Sequence, residues 1–120
     1  MAEISIITPS YNSSKHLDET IGSVLNQTFQ DWEWLITDDC STDNSVKILE
    51  KQNDPRIKVF QADKNGGAGH ARNISLENAT GRYITFLDAD DFWEPNFLEE
   101  MDNFMKSENA ELAYSTYSRC

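Results

Sequence analysis

Three carboxylates follow one apolar segment within four positions of each other. The aromatic and branched side chains of residues 83–87 predict a buried strand, and Asp88, Asp90 and Asp91 come directly after it. In an open α/β sheet, ligands bind beyond the carboxyl ends of the strands. Like charges this close repel one another, so a hard divalent cation with oxygen ligands would fit there. The alternative is that these carboxylates only begin the helix near Glu94, because short acidic motifs are common by chance.

A second apolar segment, residues 32–37, also ends in carboxylates, Asp38 and Asp39. A carboxylate at a strand end can cap the next helix, or it can accept a hydrogen bond from an N–H of a ligand base. We assign the second role to Asp39, with capping as the open alternative. Tyr11, on the loop after the first strand, could stack on the same base or could be a partly buried loop aromatic.

The glycines at positions 66, 67 and 69 allow the backbone to approach a ligand closely. They are not a dinucleotide-binding fingerprint, because that motif follows the first strand, where residues 8–12 contain no glycine. Arg72 lies early in the next helix, where the helix dipole opposes a cation. We therefore expect it to pair with Asp39, with an aspartate of the acidic strand end, or with a ligand phosphate. His70 is interpreted as incidental, and Lys64 could be a solvated loop residue.

Composition and charge limit the function classes. The chain has 120 residues, enough for one domain with a core, and 38% of them are hydrophobic. Its formal charge of −11 opposes binding to nucleic acid or to an anionic membrane. Cys40 and Cys120 lack metal-ligand spacing, which favours a reducing compartment. No stretch reaches the length of a membrane span, so a cytoplasmic location is the expectation.

The order of predicted elements alternates between strand and helix. Strands are predicted at residues 4–7 (halted by Thr8-Pro9), 32–37, 57–60, 83–87 and 112–117. The helices between them are placed after a Ser13 or Ser14 cap, with an apolar face of Leu17, Ile21, Val24 and Leu25; around Val46 and Leu49; at about 68–79; and around Phe97, Met101, Phe104 and Met105, with Pro95 in the first turn. This alternation predicts an α/β fold with a doubly wound, mainly parallel sheet and helices on both faces. The first, second and fourth strands would then deliver polar groups to one cleft.

These residues together resemble family 2 glycosyltransferases, which are inverting enzymes with the GT-A fold. The matching segments are residues 6–12, 23–29, 38–43, 65–67, 71–73 and 81–91, in the order found in that family. Each segment alone is weakly diagnostic, but together they cover almost the whole chain. Cys40 and Ser75 depart from the family, which commonly has glycine or another small residue there.

The resemblance implies a site for a nucleotide sugar, most often a uridine diphosphate sugar. Asp39 would meet the N–H of the base, and Asp88 and Asp90 match the Asp-x-Asp motif that serves the ribose and a Mn²⁺ or Mg²⁺ ion. The implied nucleotide-binding residues are Thr8, Pro9, Tyr11, Asp39, Lys64, Gly67, Arg72, Asp88 and Ala89, with Asp90 as the metal ligand. The implied acceptor is a saccharide or a lipid-linked saccharide.

The family places its acidic catalytic base and its acceptor site beyond the length of this chain. Residues 1–120 are therefore expected to be the nucleotide-sugar-binding part of a longer enzyme, with the base beyond Cys120. A sheet cut after its fifth strand leaves an edge uncovered, which favours self-association. One alternative is a non-catalytic nucleotide-sugar-binding or assembly module with the same fold. Another is an aspartyl phosphatase, which would carry its Asp-x-Asp on the first strand rather than the fourth.

Overall fold

The computed structural model of the chain describes residues 2–107 and the backbone of a short strand at Tyr114–Ser115. The elements are β1 (Ile4–Ser10), α1 (Leu17–Leu25), β2 (Trp32–Asp38), α2 (Ser45–Glu50), β3 (Ile57–Gln61), α3 (Gly67–Glu77), β4 (Tyr83–Phe86), α4 (Phe97–Ser107) and β5 (Tyr114–Ser115). The fifth strand was predicted over residues 112–117, and the rest of that prediction lies outside the described residues. Within the described part of the chain, no helix combines the length and the apolar character needed to cross a membrane.

The five strands form one parallel sheet in the order β3-β2-β1-β4-β5. The predicted doubly wound α/β fold is therefore confirmed. β2 and β3 lie on one side of β1, and β4 and β5 lie on its other side. The strand order thus reverses between β1 and β4, and the carboxyl ends of such neighbours form the ligand-binding crevice of doubly wound folds.

Helices cover both faces of the sheet, because successive side chains of a strand point to opposite faces. Ile6 packs in a large buried cluster with residues of α1, α2 and α4, including Ile21 and Leu98. The adjacent Ile7 belongs to a smaller cluster, against which Leu76 of α3 packs. Among the described helices, α3 is the one that covers the second face, and it brings its N-terminal end to the same edge of the sheet as the end of β1.

Strand β1 continues through the Thr8-Pro9 pair that was predicted to halt it. The Ser10 carbonyl accepts the Asp39 N–H on the β2 side, and the Ile7 carbonyl accepts the Leu87 N–H on the β4 side. By this alternation, the proline nitrogen faces β4, beyond the last β1–β4 pair at Ile7 and Phe86. Pro9 therefore removes no hydrogen bond from the sheet, and a proline is tolerated in a central strand.

The predicted start of α1 was wrong in its chemistry. His16 holds the cap position, and its side chain makes no capping hydrogen bond within the described chain. The Ser13 carbonyl instead accepts the N–H groups of His16 and Leu17, while the Ser13 hydroxyl donates to the Tyr11 carbonyl. Ser13 thus belongs to a tight turn that leads into the helix, and its backbone carbonyl, not its hydroxyl, bonds to the N–H groups at the helix start.

Two expectations for the last helix also need correction. Helix α4 begins at Phe97, so Pro95 precedes the first turn rather than lying in it. Phe104 is 58% exposed, whereas Met101 and Met105 are buried as predicted. Phe104, three residues after Met101, lies at the margin of the apolar face of α4. At such a position, the rotation of the helix about its axis determines whether the side chain is buried or exposed.

A polar cluster closes the amino-terminal edge of the sheet, opposite the carboxyl ends of the strands. Glu33 on β2 accepts hydrogen bonds from the Ser5 hydroxyl, the Thr80 N–H and the Lys58 ammonium. Burial acts to raise the pKa of Glu33, but these hydrogen bonds outweigh it and lower the pKa to about 2. The Gly81 N–H donates to the Ser5 hydroxyl, and a Cβ at Gly81 would lie 2.5 Å from that oxygen. We call Ser5, Glu33, Lys58, Thr80 and Gly81 the amino-edge cluster.

Candidate functional site

A cavity of about 300 Å³ opens at the carboxyl edge of the sheet. It lies at the point where strand order reverses, because β1 pairs with β2 as far as Ser10 and Asp38 but with β4 only as far as Ile7 and Phe86. Among the described strands, none pairs with the end of β1 on the β4 side. The walls of the cavity come from four segments of the chain: Pro9, Ser10, Tyr11 and Ser13; Asp39; Ala68 and Arg72; and Asp88, Ala89 and Asp90.

The end of β1 supplies an open aromatic ring. Tyr11 lines the cavity and is 50% exposed. The next residue, Asn12, has a φ of 49°, in the left-handed region that asparagine tolerates better than most residues. This turn takes the chain away from the sheet directly after Tyr11, so the ring stands at the rim. At 50% exposure, the ring is both a partly buried loop aromatic and open enough for stacking, so both interpretations of Tyr11 stay predictions.

Asp38, at the end of β2, has a structural role. Its buried carboxylate accepts the N–H and the hydroxyl of Ser41. These bonds hold the turn in which Cys40 has a φ of 64°. That backbone conformation explains why a glycine would suit this position, since a side chain there is strained.

Asp39 lies in the cavity wall and is bonded to the glycine loop. One carboxylate oxygen accepts the Gly66 N–H and the other accepts the Gly67 N–H, both at 2.9 Å. Gly67 has a φ of 89°, which a residue with a side chain would rarely adopt. Asp39 therefore binds the backbone at the start of α3, not the next helix along the chain, α2, which the capping alternative named. Each carboxylate oxygen retains a lone pair, so the capping bonds leave room for a ligand N–H.

The loops after β1 and β2 are hydrogen-bonded to each other. The Asn12 carbonyl oxygen of the side chain accepts the Thr42 N–H, and the Asn12 N–H donates to the Ser41 hydroxyl. Asp43 accepts the N–H groups of Ser14 and Ser45. Although burial acts to raise it, the pKa of Asp43 lies well below its usual value because of the hydrogen bonds from Ser45 and Ser14. We call these connected loops the paired loops.

The end of β4 presents carboxylates to solvent. Asp88 and Asp90 are exposed and line the cavity, with buried Ala89 between them. The Arg72 guanidinium lies 3.6 Å from the Asp88 carboxylate. Of the three partners predicted for Arg72, the protein itself therefore supplies the aspartate of the acidic strand end. Asp91, by contrast, is buried, and its carboxylate accepts the N–H of Phe92.

The donor set at this strand end fits a hard divalent cation that is shared with a ligand. Asp88 and Asp90 offer exposed carboxylate oxygens. In the part of the chain described, no group of three or more His, Cys, Asp or Glu side chains could hold a metal ion by itself. Mg²⁺ and similar ions commonly take only one or two carboxylates and complete their shell with water and substrate phosphates. The residues present therefore suit a cation that binds together with a phosphorylated ligand.

Three of the predicted nucleotide-binding residues lie outside the cavity wall. Thr8 is fully buried, and its hydroxyl accepts the indole N–H of Trp34 in the core. Lys64 is exposed on the loop before α3, and Gly67 contributes its N–H to Asp39. Conversely, Ser10, Ser13 and Ala68 line the cavity although none of them was predicted to bind the nucleotide. Thr8 and Ser10 share one face of β1 by strand alternation, but Ser10 ends the strand at the cavity, whereas Thr8 lies two residues deeper in the sheet. The prediction that the strand halts at Thr8-Pro9 did not distinguish the two residues.

Comparison with known proteins gives a consistent result. Residues 5–120 match the model of the family described as Glycosyl transferase family 2. TuaG of Bacillus subtilis, named as a teichuronic acid biosynthesis glycosyltransferase, is 44% identical over 117 residues, covering 96% of this chain and 46% of TuaG. The Escherichia coli WfgD, named as a UDP-Glc:alpha-D-GlcNAc-diphosphoundecaprenol beta-1,3-glucosyltransferase, is 44% identical over 115 residues, covering 95% of this chain and 45% of WfgD.

A solved structure shares the fold and much of the sequence. The Staphylococcus aureus TarS fragment 1–349, crystallised in complex with UDP, superposes with a TM-score of 0.85 at 36% identity. The match covers 91% of this chain and 33% of the TarS chain. The chain thus spans about half the length of the curated relatives, 46% and 45% in the two cases above.

Proposed function

This chain belongs to glycosyl transferase family 2, and from that membership we propose that its cavity binds the nucleotide of a uridine diphosphate sugar. The sugar would be transferred with inversion to an acceptor hydroxyl, which attacks the anomeric carbon as the nucleoside diphosphate departs. One observation carries the proposal: side chains from four separate segments, including Tyr11, Asp39, Arg72 and Asp90, line one cavity at the reversal of strand order. Doubly wound folds bind nucleotides at this position.

The base end of the proposed site is formed by Tyr11 and Asp39. Tyr11 offers an exposed ring face for stacking, with Pro9 beside it. Asp39 offers a carboxylate that is held in place by two backbone N–H groups, so that it keeps its orientation when a ligand arrives. Uracil carries an N–H that such a carboxylate can accept. The UDP complex of TarS, at 36% identity, supports uridine as the nucleoside.

The phosphate end must overcome the charge of the chain, which is −11. Arg72 is the cation of the cavity wall, and its 3.6 Å contact with Asp88 is long enough to be exchanged for a ligand phosphate. Asp88 would then contact the ribose, and Asp90 would hold Mn²⁺ or Mg²⁺. When bound, such a cation would neutralise the diphosphate and stabilise the negative charge that develops on the leaving group. Lys64, Gly67, Thr8 and Ala89 retain supporting roles around the nucleotide in this proposal.

The acceptor side of the reaction is assigned to polypeptide beyond these residues. Every proposed contact above serves the nucleotide, and the catalytic base is proposed to follow Cys120. The name of WfgD includes a lipid-linked saccharide, and by analogy the acceptor of this protein would be a saccharide or a lipid-linked saccharide. The 120-residue chain alone would then bind donor without efficient transfer, because general base catalysis commonly contributes a factor of about 10²–10⁴.

Metal-assisted binding of the donor tests the proposal. Uridine diphosphate is titrated into the chain by calorimetry with Mn²⁺ and with a chelator. In Mn²⁺, we expect Asp90→Ala to weaken binding by at least about tenfold, since a charged ligand contact is lost. With the chelator, the variant should bind no more weakly than the parent, because Asp90 without a cation only repels the diphosphate. Because Asp90 is exposed, the free energy of unfolding should change by less than about 0.5 kcal/mol.

The matched control is Asp31→Ala, which removes one exposed carboxylate at the opposite edge of the sheet. It makes the same change in net charge and should leave affinity within twofold of the parent. If Asp31→Ala weakens binding as much as Asp90→Ala, the effect is one of overall charge and not of a metal ligand. Affinity that is indifferent to both Mn²⁺ and Asp90 would refute the metal assignment.

A further inference from the structure

The hydroxyl of Ser10 is a buried polar group without a partner in the described residues. The side chain is 1% exposed, and no hydrogen-bond acceptor or donor of the described chain lies within reach of its oxygen. Buried hydroxyls are nearly always hydrogen-bonded, so an exception in a protein requires an explanation. Ser10 lies in the wall of the cavity described above.

The position of Ser10 in the cavity indicates which part of a ligand it can reach. Its carbonyl accepts the Asp39 N–H at 2.8 Å, and it stands between Pro9 and Tyr11 in sequence. These neighbours form the base end of the proposed site. Ser10 is also the last residue of β1, and β1 extends past the end of β4, after which Asp88 follows. It is therefore placed between the base and the ribose rather than beside the diphosphate.

We propose that Ser10 is a specificity-determining residue that hydrogen-bonds the nucleoside of the donor. The inference rests on the nucleotide-binding function proposed above. A hydroxyl can both donate and accept, so it suits either a carbonyl of the base or a hydroxyl of the ribose. Shielded from water, such a bond is stronger than one at the surface.

A second buried serine provides a matched control. Ser75 on α3 is fully buried on the other face of the sheet, and its hydroxyl is shared with the Thr37 hydroxyl and donates to the Leu35 carbonyl. Removing this hydroxyl breaks bonds within the protein. Removing the Ser10 hydroxyl breaks none that the described residues make. The two Ser→Ala variants should therefore separate ligand affinity from stability.

The experiment measures binding of uridine, in the presence of a chelator, and of uridine diphosphate with Mn²⁺, together with thermal unfolding of each variant. For Ser10→Ala we expect a three- to tenfold loss of affinity for both ligands, with a melting temperature equal to or above that of the parent. For Ser75→Ala we expect a lower melting temperature and unchanged affinity. Comparing uridine with 2′-deoxyuridine then separates a base contact from a contact to the 2′-hydroxyl, and either result supports the proposal.

Three outcomes would overturn it. If Ser10→Ala binds both ligands as the parent does, the hydroxyl does not contact the nucleoside. If only the diphosphate loses affinity, the contact lies at the phosphate end and the assignment is wrong. If the folded parent binds neither uridine nor uridine diphosphate, the proposed function itself fails, which is a different result from a parent that binds and a variant that does not differ.

Discussion

The two edges of the sheet use their carboxylates in opposite ways. At the amino edge, Glu33 is buried and accepts hydrogen bonds from Ser5, Thr80 and Lys58. At the carboxyl edge, Asp88 and Asp90 are exposed, and the Asp88 carboxylate has a long contact of 3.6 Å with Arg72. A carboxylate whose lone pairs are used inside the protein stabilises the fold, whereas one that is exposed and loosely paired is available to a ligand. Asp39 is buried and bonded to Gly66 and Gly67, yet it also lines the cavity.

The largest effect is expected at the amino edge. Glu33→Gln should cost about 2–4 kcal/mol of unfolding free energy, since it replaces a buried, charged acceptor with an amide that must face several donors. Donor affinity of the folded variant should not change. Urea unfolding at pH 6 measures the first quantity, and calorimetry measures the second.

This variant also has a defined pH dependence. The pKa of Glu33 in the folded chain, about 2, lies below the ordinary 4.5, so its stabilising contribution is present above pH 4.5 and is lost as pH falls toward 2. The difference between parent and Glu33→Gln should therefore shrink over this window. Lys58→Ala is the control: its side chain is 45% exposed, and its loss should cost under about 1 kcal/mol. A constant difference across the window would show that Glu33 stabilises the fold by packing alone.

The next effect tests Asp39, which is hydrogen-bonded within the protein and also lines the cavity. Asp39→Ala should lose one charge-assisted hydrogen bond to uracil, about 1.5–3 kcal/mol, or roughly ten- to a hundredfold in preference for uridine over cytidine diphosphate. Cytosine carries no proton on the corresponding nitrogen, so its affinity should fall less. The ratio of the two dissociation constants is measured for parent and variant. An unchanged ratio would leave Asp39 as a cap of the glycine loop and no more.

The smallest effect concerns backbone strain at the carboxyl edge. Cys40 has a φ of 64°, and Cys40→Gly should stabilise the chain by about 0.5–1 kcal/mol, because glycine adopts this conformation without strain. The flexibility of glycine in the unfolded chain limits the gain. Chemical denaturation measures it, with Cys40→Ala as the comparison that removes the sulfur but retains the strain. Equal stability of the two variants would mean that the left-handed conformation imposes no cost here.

The difference between the edges also explains how much the sequence could predict. Strand positions, the doubly wound order and the aspartates at strand ends follow from hydrophobic patterns and from the rule that parallel strands end together. These are properties of composition and spacing. The exact length of β1 could not be predicted in this way. A proline normally ends a central strand, and Pro9 is tolerated because β4 has ended before it reaches Pro9.

The hydrogen bonds that the sequence did not predict at individual residues share one cause. Thr8 was assigned to the nucleotide, yet its hydroxyl accepts the Trp34 indole N–H in the core, and the neighbouring Ser10 lines the cavity unnoticed. Which hydroxyl finds a partner depends on three-dimensional neighbours that spacing alone does not identify. The same holds for Asp39, because its bonds to Gly66 and Gly67 depend on how the start of α3 packs beside the end of β2.

The paired loops have a consequence for the thermodynamics of ligand binding. Hydrogen bonds within the protein join the ends of β1 and β2 through Asn12, Ser14, Ser41 and Asp43. Ordering a loop residue costs roughly 1–2 kcal/mol of conformational entropy. Here that entropy is lost when the chain folds, and it does not have to be lost again when a nucleotide enters between the two loops and the glycine segment. Binding at this end of the cavity is therefore expected to show a small entropic penalty, with the ring of Tyr11 the main group left to immobilise.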